Sequence, residues 1–173
     1  NDRIRELSKN QSNIMILGEF GTGAELVAAL IHYGNKEKTR PFLSLDCANM
    51  PPVMREAAER AEDVDEVLIE ASQQAALFGH EAGSSVFARG SRRGYLELAD
   101  GGTLLLENVE HLLPAVQEML AEWIRTGHFT RMGEEEAISS KVRIISTSDN
   151  NLPSLASSGS FNPELFKLLG AET

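Results

Sequence analysis

The chain has 173 residues, a formal net charge of −10 and 42% apolar residues, values that suit one domain with a core of its own. Such acidity argues against a domain that grips nucleic acid on its own face, which needs a basic stripe, and favours solubility or a basic partner. No run of about 18 apolar residues exists to cross a membrane, and a single cysteine, Cys47, excludes an internal disulfide or a multi-cysteine zinc site.

The opening NDRIRELSKN is polar and helix-like and lacks the apolar core of a signal peptide, so a cytoplasmic location is expected. Residues 13–17, NIMIL, predict a short buried strand. Apolar residues at helical spacing predict a helix over 25–33, stopped by Gly34-Asn35. Residues 42–46 alternate apolar and polar, as a second strand does, and Cys47 beside them reads as inert packing. Pro51-Pro52 opens a helical stretch over 53–77, one helix or two broken near 63–65. A loop over 83–94 carries Arg89, Arg92 and Arg93 among small residues. Gly101-Gly102 is a turn before a buried strand over 103–106. Residues 114–126 read as an amphipathic helix with Val116, Met119, Leu120 and Trp123 on one face. A hairpin or loop over 127–140, a fourth strand over 142–146, a turn-rich stretch over 153–160 and a short helix over 163–169 follow. Strands separated by helices predict an α/β fold, a three-layer αβα sandwich around a mainly parallel sheet.

The segment GEFGTGAE, Gly18 to Glu25, sits between the first strand and the first long helix. Strand, glycine-rich turn and helix is the layout of the phosphate-binding loop G-x-x-x-x-G-K-[ST], whose backbone amides and helix N-terminus cradle phosphates. Ala24 stands at the lysine position.

Six segments in order then resemble one family, the AAA+ domain of bacterial sigma-54-dependent transcriptional activators. LGEFGTGAELVAALIH is similar to L-x-G-E-x-G-T-G-K-E-x-x-A-x-x-I-H, and PFLSLDCA to P-F-x-x-x-N-C-A. ALFGHEAG resembles E-L-F-G-H-E-x-G, and GYLELADGGTLLLENV resembles G-x-F-E-x-A-x-G-G-T-L-F-L-D-E-I. VRIISTSDNNL matches V-R-I-I-A-A-T-N-x-D-L, and GSFNPELFKLL matches G-x-F-R-x-D-L-Y-Y-R-L. The resemblance implies a P-loop NTPase fold of the AAA+ type over residues 1–173, with a helical insertion at about 50–76. It also implies that the family's helical lid, sensing domain and DNA-binding helix-turn-helix lie outside this chain, so that DNA is reached only through another domain.

The family hydrolyses ATP to remodel the sigma-54 polymerase, and the resemblance assigns the positions that do so. The nucleotide site would be Gly18, Glu19, Gly21, Thr22, Gly23, Ala24, Glu25, Glu107, Asn108 and Asp149. Ala24 offers no charge to the phosphates; Glu25 is usual for the family. The metal-strand Asp-Glu pair is Glu107-Asn108, and an amide at 108 cannot take a proton as a general base. The sensor Asn is Asp149, whose charge repels a phosphate and whose side chain also suits a turn. The two trans-acting arginines are Asn162 and Leu168, with Lys167 beside them as a surface charge. The arginine common after the loop is Ala29. Four catalytic elements are altered together, which predicts a pseudo-ATPase with no catalytic residue, no metal, and ATP or ADP held weakly if at all. The polymerase-contacting G-A-F-T-G-A reads Gly83, Ser84, Ser85, Val86, Phe87, Ala88, with the aromatic shifted. His32, His80, His111 and His128 have no metal-ligand spacing.

Three functions remain open on sequence: a non-hydrolysing regulatory or assembly module of a bacterial transcriptional regulator, an ATPase with substitute residues, and a nucleotide or cyclic-dinucleotide sensor. Expected partners are further copies of the chain and the RNA polymerase with its sigma factor, and no membrane.

Overall fold

A computed structural model describes residues 2–19, 21, 23–35, 39–49, 66–84, 90–149 and 151–170. Four parallel strands form the central sheet: β1 (Ile14–Leu17), β2 (Phe42–Asp46), β3 (Thr103–Glu107) and β6 (Arg143–Ser148), in the order β1-β6-β3-β2. Parallel neighbours need crossover helices, and those helices cover both faces. Alternation along the strands separates two cores. Leu104, Leu106 and Ile144 point to one side, against α3 (Glu66–Phe78), α4 (Tyr95–Leu98), α5 (Pro114–Thr126), α6 (Leu152–Ser158) and α7 (Pro163–Leu169). Leu105 and Ile145 point to the other, against α1 (Asp2–Lys9) and α2 (Ala24–Tyr33). The three-layer αβα architecture expected from the sequence is therefore present, and the stripe of Val116, Met119, Leu120 and Trp123 faces the larger core.

Residues 127–140 resolve as a hairpin, with β4 (His128–Phe129) antiparallel to β5 (Ile138–Ser139). The fourth sheet strand begins one residue later than expected and runs to Ser148. The turn-rich reading of 153–160 is corrected: Leu152–Ser158 is helix α6. Pro153 fits its first turn, where no amide donor is needed. Leu152 and Ala156 are buried, Leu155 packs on the core, and Gly159 closes the helix at φ 80°. The serines in this stretch suggest a loop only until its apolar face finds the core.

The stretch at 50–76 expected as a helical insertion is described from residue 66 on, within the helix Glu66–Phe78, which packs inward through Leu68, Ala75, Leu77 and Phe78. Its buried Gln73 donates to the His111 carbonyl at 2.8 Å and accepts from the Leu113 amide at 2.8 Å. The remainder of the helical stretch expected from residue 53 lies outside the described residues.

His32 on α2 is buried at the start of the sheet, its Nδ1 2.9 Å from Thr103 Oγ1 and its Nε2 3.2 Å from the Arg40 carbonyl. A neutral ring fits both contacts, with Nε2–H donating to Arg40 and Nδ1 accepting from the Thr103 hydroxyl. Burial holds the His32 pKa below its ordinary value; the Arg40 carbonyl works against that shift and the Arg143 guanidinium adds to it. The unfolded chain thus takes up a proton, as pH falls through the ordinary histidine range, that the folded chain refuses. Stability is expected to decline below pH ~6.5 on this account. Urea midpoints measured from pH 7.5 to 5 should fall less steeply in His32→Gln than in the parent; parallel curves would assign the decline to other groups.

Candidate nucleotide-type site

The C-terminal ends of β1, β6 and β3 lie side by side, the usual location of ligands in an open parallel sheet. A cavity of about 460 Å³ opens there. Its wall includes Gly18, Glu19, Gly21, Gly23, Ala24, Glu25, Glu107, Asn108 and Asp149, so the fold gathers the described positions of the expected site into one place. Thr22 lies outside the described residues. Gly21 and Gly23 take φ of 83° and 81°, a left-handed turn that glycine adopts without strain, and Gly23 leads into α2. The Gly18 amide donates to the Ser148 carbonyl at 3.1 Å, fastening the loop to the end of β6.

The altered polar side chains have local partners. Asn108 is at φ 55°, a non-glycine residue in the left-handed region, where Asn is tolerated better than most. Its backbone amide donates to Thr147 Oγ1 at 3.2 Å and its side-chain amide to Asp46 Oδ1 at 2.9 Å. Burial works against the charge on Asp46, but the bonds from Asn108, Asn49 and the Ala48 amide outweigh it and hold the carboxyl below its ordinary pKa. Glu107 accepts from Ser44 Oγ at 3.1 Å. Asp149 accepts the Asn151 amide at 2.9 Å, a turn of the kind its side chain favours. Asn162 caps α7 by accepting the Leu165 amide at 3.0 Å, Leu168 packs on the core, and Lys167 is exposed.

Asp46, Ser44, Thr147 and Glu110 were not among the expected site residues. For Asp46 a signal existed. In the motifs quoted above Asn stands at 46 and Glu at 108; here Asp46 and Asn108 stand there, so amide and carboxylate have changed places and the hydrogen bond between them joins the two changes. Cys47, next to Asp46, is buried, and burial reinforced by Asp46, Glu110 and Glu107 pushes its thiol pKa up, which suits the packing role expected of it.

A family model described as the Sigma-54 interaction domain matches residues 1–59 and 61–172. The chain belongs to this family. It is 36% identical over 95% of its length to the Nif-specific regulatory protein of Azotobacter vinelandii. It is 31% identical over 99% of its length to the HTH-type transcriptional regulatory protein TyrR of Enterobacter agglomerans. It spans 28% and 30% of those two proteins. Among solved structures, NtrX from Brucella abortus in complex with ATP superposes with a TM-score of 0.78 at 29% identity, over 99% of this chain and 33% of that one. The P-loop NTPase domain of the sigma-54 transport activator from E. coli shares the fold, with a TM-score of 0.55 at 20% identity over 95% of this chain and 96% of that one.

In this sigma-54 interaction domain the segment expected from the motifs to be a partner loop is described at Gly83 and Ser84; Ser85, Val86, Phe87, Ala88 and Arg89 lie outside the described residues. Its base is a small ladder in which His80 pairs with Arg92 and with Met132. Arg131 clamps that base, with Nε and Nη2 on the two oxygens of Glu97 at 2.7 and 2.9 Å and Nη1 on Glu81. A bidentate guanidinium contact of this kind fixes orientation as well as charge. Arg93, one of the basic residues of the segment, lies 3.9 Å from Glu97 on the exposed side of the same cluster. Among the described residues no helix is long and apolar enough to cross a membrane, and no group of His, Cys, Asp or Glu is placed to hold a metal ion.

Proposed function

We propose that this domain is a non-hydrolysing module of a sigma-54-type transcriptional regulator, one that supports subunit assembly and contact with RNA polymerase while turning over no ATP. The observation that carries this reading is the commitment of Asn108. An amide replaces the carboxylate that would take a proton from the attacking water, and that amide is bonded to Asp46. Restoring a base there would require moving two side chains. Ala24 leaves the loop without a cation, and the two arginine positions serve as a helix cap and a core contact. These roles belong to the folded domain itself, so the substitutions are integrated into its packing.

Phosphate release by the purified protein with Mg²⁺ and ATP is expected to equal the protein-free blank. Release well above blank, abolished by Glu107→Gln, would overturn the proposal. A second reading, nucleotide sensing without turnover, is favoured by the left-handed glycines that preserve the loop's shape. It predicts a thermal shift with one nucleotide and not with others.

A further inference from the structure

Two stretches of chain are pinned together beside the hairpin, residues 79–81 after α3 and residues 91–94 before α4. His80 and Arg92 exchange backbone hydrogen bonds, the His80 amide donating to the Arg92 carbonyl at 2.9 Å and the Arg92 amide to the His80 carbonyl at 2.8 Å. A Cβ on Gly94 would fall on the Gly79 nitrogen and the Leu77 carbonyl, so the two backbones touch where only glycine fits. The Ser91 hydroxyl donates to Glu81. The hairpin closes this stem from a third direction. The Glu81 amide donates to the Met132 carbonyl at 3.0 Å, and the Met132 amide to the Gly79 carbonyl at 3.1 Å.

Arg131 joins all three pieces. Its Nε and Nη2 donate to the two oxygens of Glu97 on α4, at 2.7 and 2.9 Å, and its Nη1 donates to Glu81. The Arg131 and Glu97 side chains are 22% and 12% exposed, so water screens this pair less than a freely exposed one. A charge-assisted, bidentate contact has one geometry. Lysine would supply the charge without the two parallel bonds.

None of these residues is among those that line the cavity. Glu97 lies on the helix that leads into the start of β3, and Arg131 on the hairpin that leads into the start of β6, while the cavity opens at the ends of both strands. A ligand shifts an equilibrium only through contacts that differ between its states. One seated among the cavity-lining residues has no direct contact with the stem or with Arg131.

We propose that Arg131 is a positioning residue, which locks residues 79–81 and 91–94 into one pose for contact with RNA polymerase, a pose set by the hairpin and not by occupancy of the cavity. This rests on the reading that the domain contacts polymerase without turning over ATP.

Amide hydrogen exchange of the purified protein tests the lock. The amides of His80, Glu81, Arg92 and Met132 are expected to be protected equally with and without Mg²⁺-ATP, in the parent and in Ala24→Lys. Arg131→Gln should speed their exchange at least about tenfold, the size of one charge-assisted hydrogen bond. Arg131→Lys should fall between. Glu81→Gln removes one arm and spares the Glu97 pair, so it gives a milder variant with a smaller effect in the same direction. Arg125→Gln, which breaks the exposed contact with Glu164, should leave the stem unchanged. Binding of RNA polymerase carrying sigma-54 supplies a readout that a merely structural role would not move. It is expected to be the same with and without ATP, and about tenfold weaker in Arg131→Gln well below the melting temperature. Stem exchange indifferent to Arg131 would overturn the proposal. So would an ATP-dependent change at the stem, which would route the signal through Gln73, the side chain by which α3 holds the turn at 111–113. Polymerase binding that ignores Arg131→Gln sinks the proposal alone, whereas a parent protein that does not bind polymerase sinks the reading beneath it and the positioning role together.

Discussion

Replacing Ala24 with lysine is expected to strengthen binding of Mg²⁺-ATP by roughly 100-fold, about 2.7 kcal/mol, the lower end of what a pre-organised electrostatic group contributes, while phosphate release stays at blank. Ala24 is the first residue of α2 and lines the cavity directly after the left-handed Gly23. A lysine there starts from the position at which phosphate-binding loops carry theirs. It neutralises part of the field from Glu19, Glu25, Glu107, Glu110 and Asp149. Hydrolysis needs more than affinity. Asn108 has no basic lone pair for a water proton, and a missing general base alone costs ~10²–10⁴ in rate. No arginine stands at 162 or 168 to offset charge on the transferring phosphoryl group. Calorimetry with the ATP complex and a phosphate-release assay on the same preparation separate the two effects. Tight binding with turnover would show that the base is supplied from elsewhere; unchanged binding would show that the loop has lost its phosphate-binding shape as well as its charge.

The same logic explains why Asn108→Glu is a poor single repair. It would set a second carboxylate against Asp46, whose charge is held by the Asn108 amide. The change becomes tolerable only with Asp46→Asn, which returns the pair to the arrangement of the family motifs. Residues that share a hydrogen bond are where additivity fails.

That pair also marks how far the sequence could be read. The glycine loop is local: its residues are neighbours in the chain, the strand before it and the helix after it have their own periodicities, and the loop's place follows from theirs. The gathering of Glu107, Asn108 and Asp149 beside that loop follows from parallel strands ending at one edge. The Asp46–Asn108 bond joins residues 62 positions apart, and no local pattern encodes which two polar side chains will meet. It was visible only as two motif departures that cancel, an amide lost where a carboxylate appears and the reverse. Helix α6 was missed for a different reason. Its Pro and Ser are turn-formers in isolation, and its helical state comes from Leu152, Leu155 and Ala156 reaching the core. Glu110 and Ser148 line the cavity because β3 and β6 end beside the loop, a consequence of the topology and not of residue type.

Gly102→Ala is expected to lower stability by about 3 kcal/mol, the upper end of overpacking costs, and to lower the melting temperature by roughly 6–12 °C for a chain of this size. The position looks like half of an ordinary Gly-Gly turn, and its neighbour Gly101 does adopt φ 78°. Gly102 is glycine for a different reason, which is space. A Cβ built on it would fall on the Pro41 carbonyl oxygen. That oxygen cannot retreat freely, because it accepts the Thr103 amide at 2.9 Å, and the Gly102 carbonyl accepts the Arg143 amide at 3.0 Å. The contact therefore joins the starts of β2, β3 and β6, and a methyl group would have to part β2 from β3 at the edge of the sheet. Gly90→Ala is the matched control: a Cβ there meets nothing within 4 Å, so a change within about 0.5 kcal/mol is expected. Because Gly102 lies at the opening end of β3 and the cavity at its closing end, Gly102→Ala should keep ligand affinity while the domain remains folded. Thermal melts of both variants, with a binding measurement well below the melting temperature, test the two halves of this expectation. A Gly102→Ala protein as stable as its parent would mean that β2 and β3 can separate at that end without cost, and the rigidity assigned to the edge of the sheet that holds Asp46 and Glu107 would be misplaced.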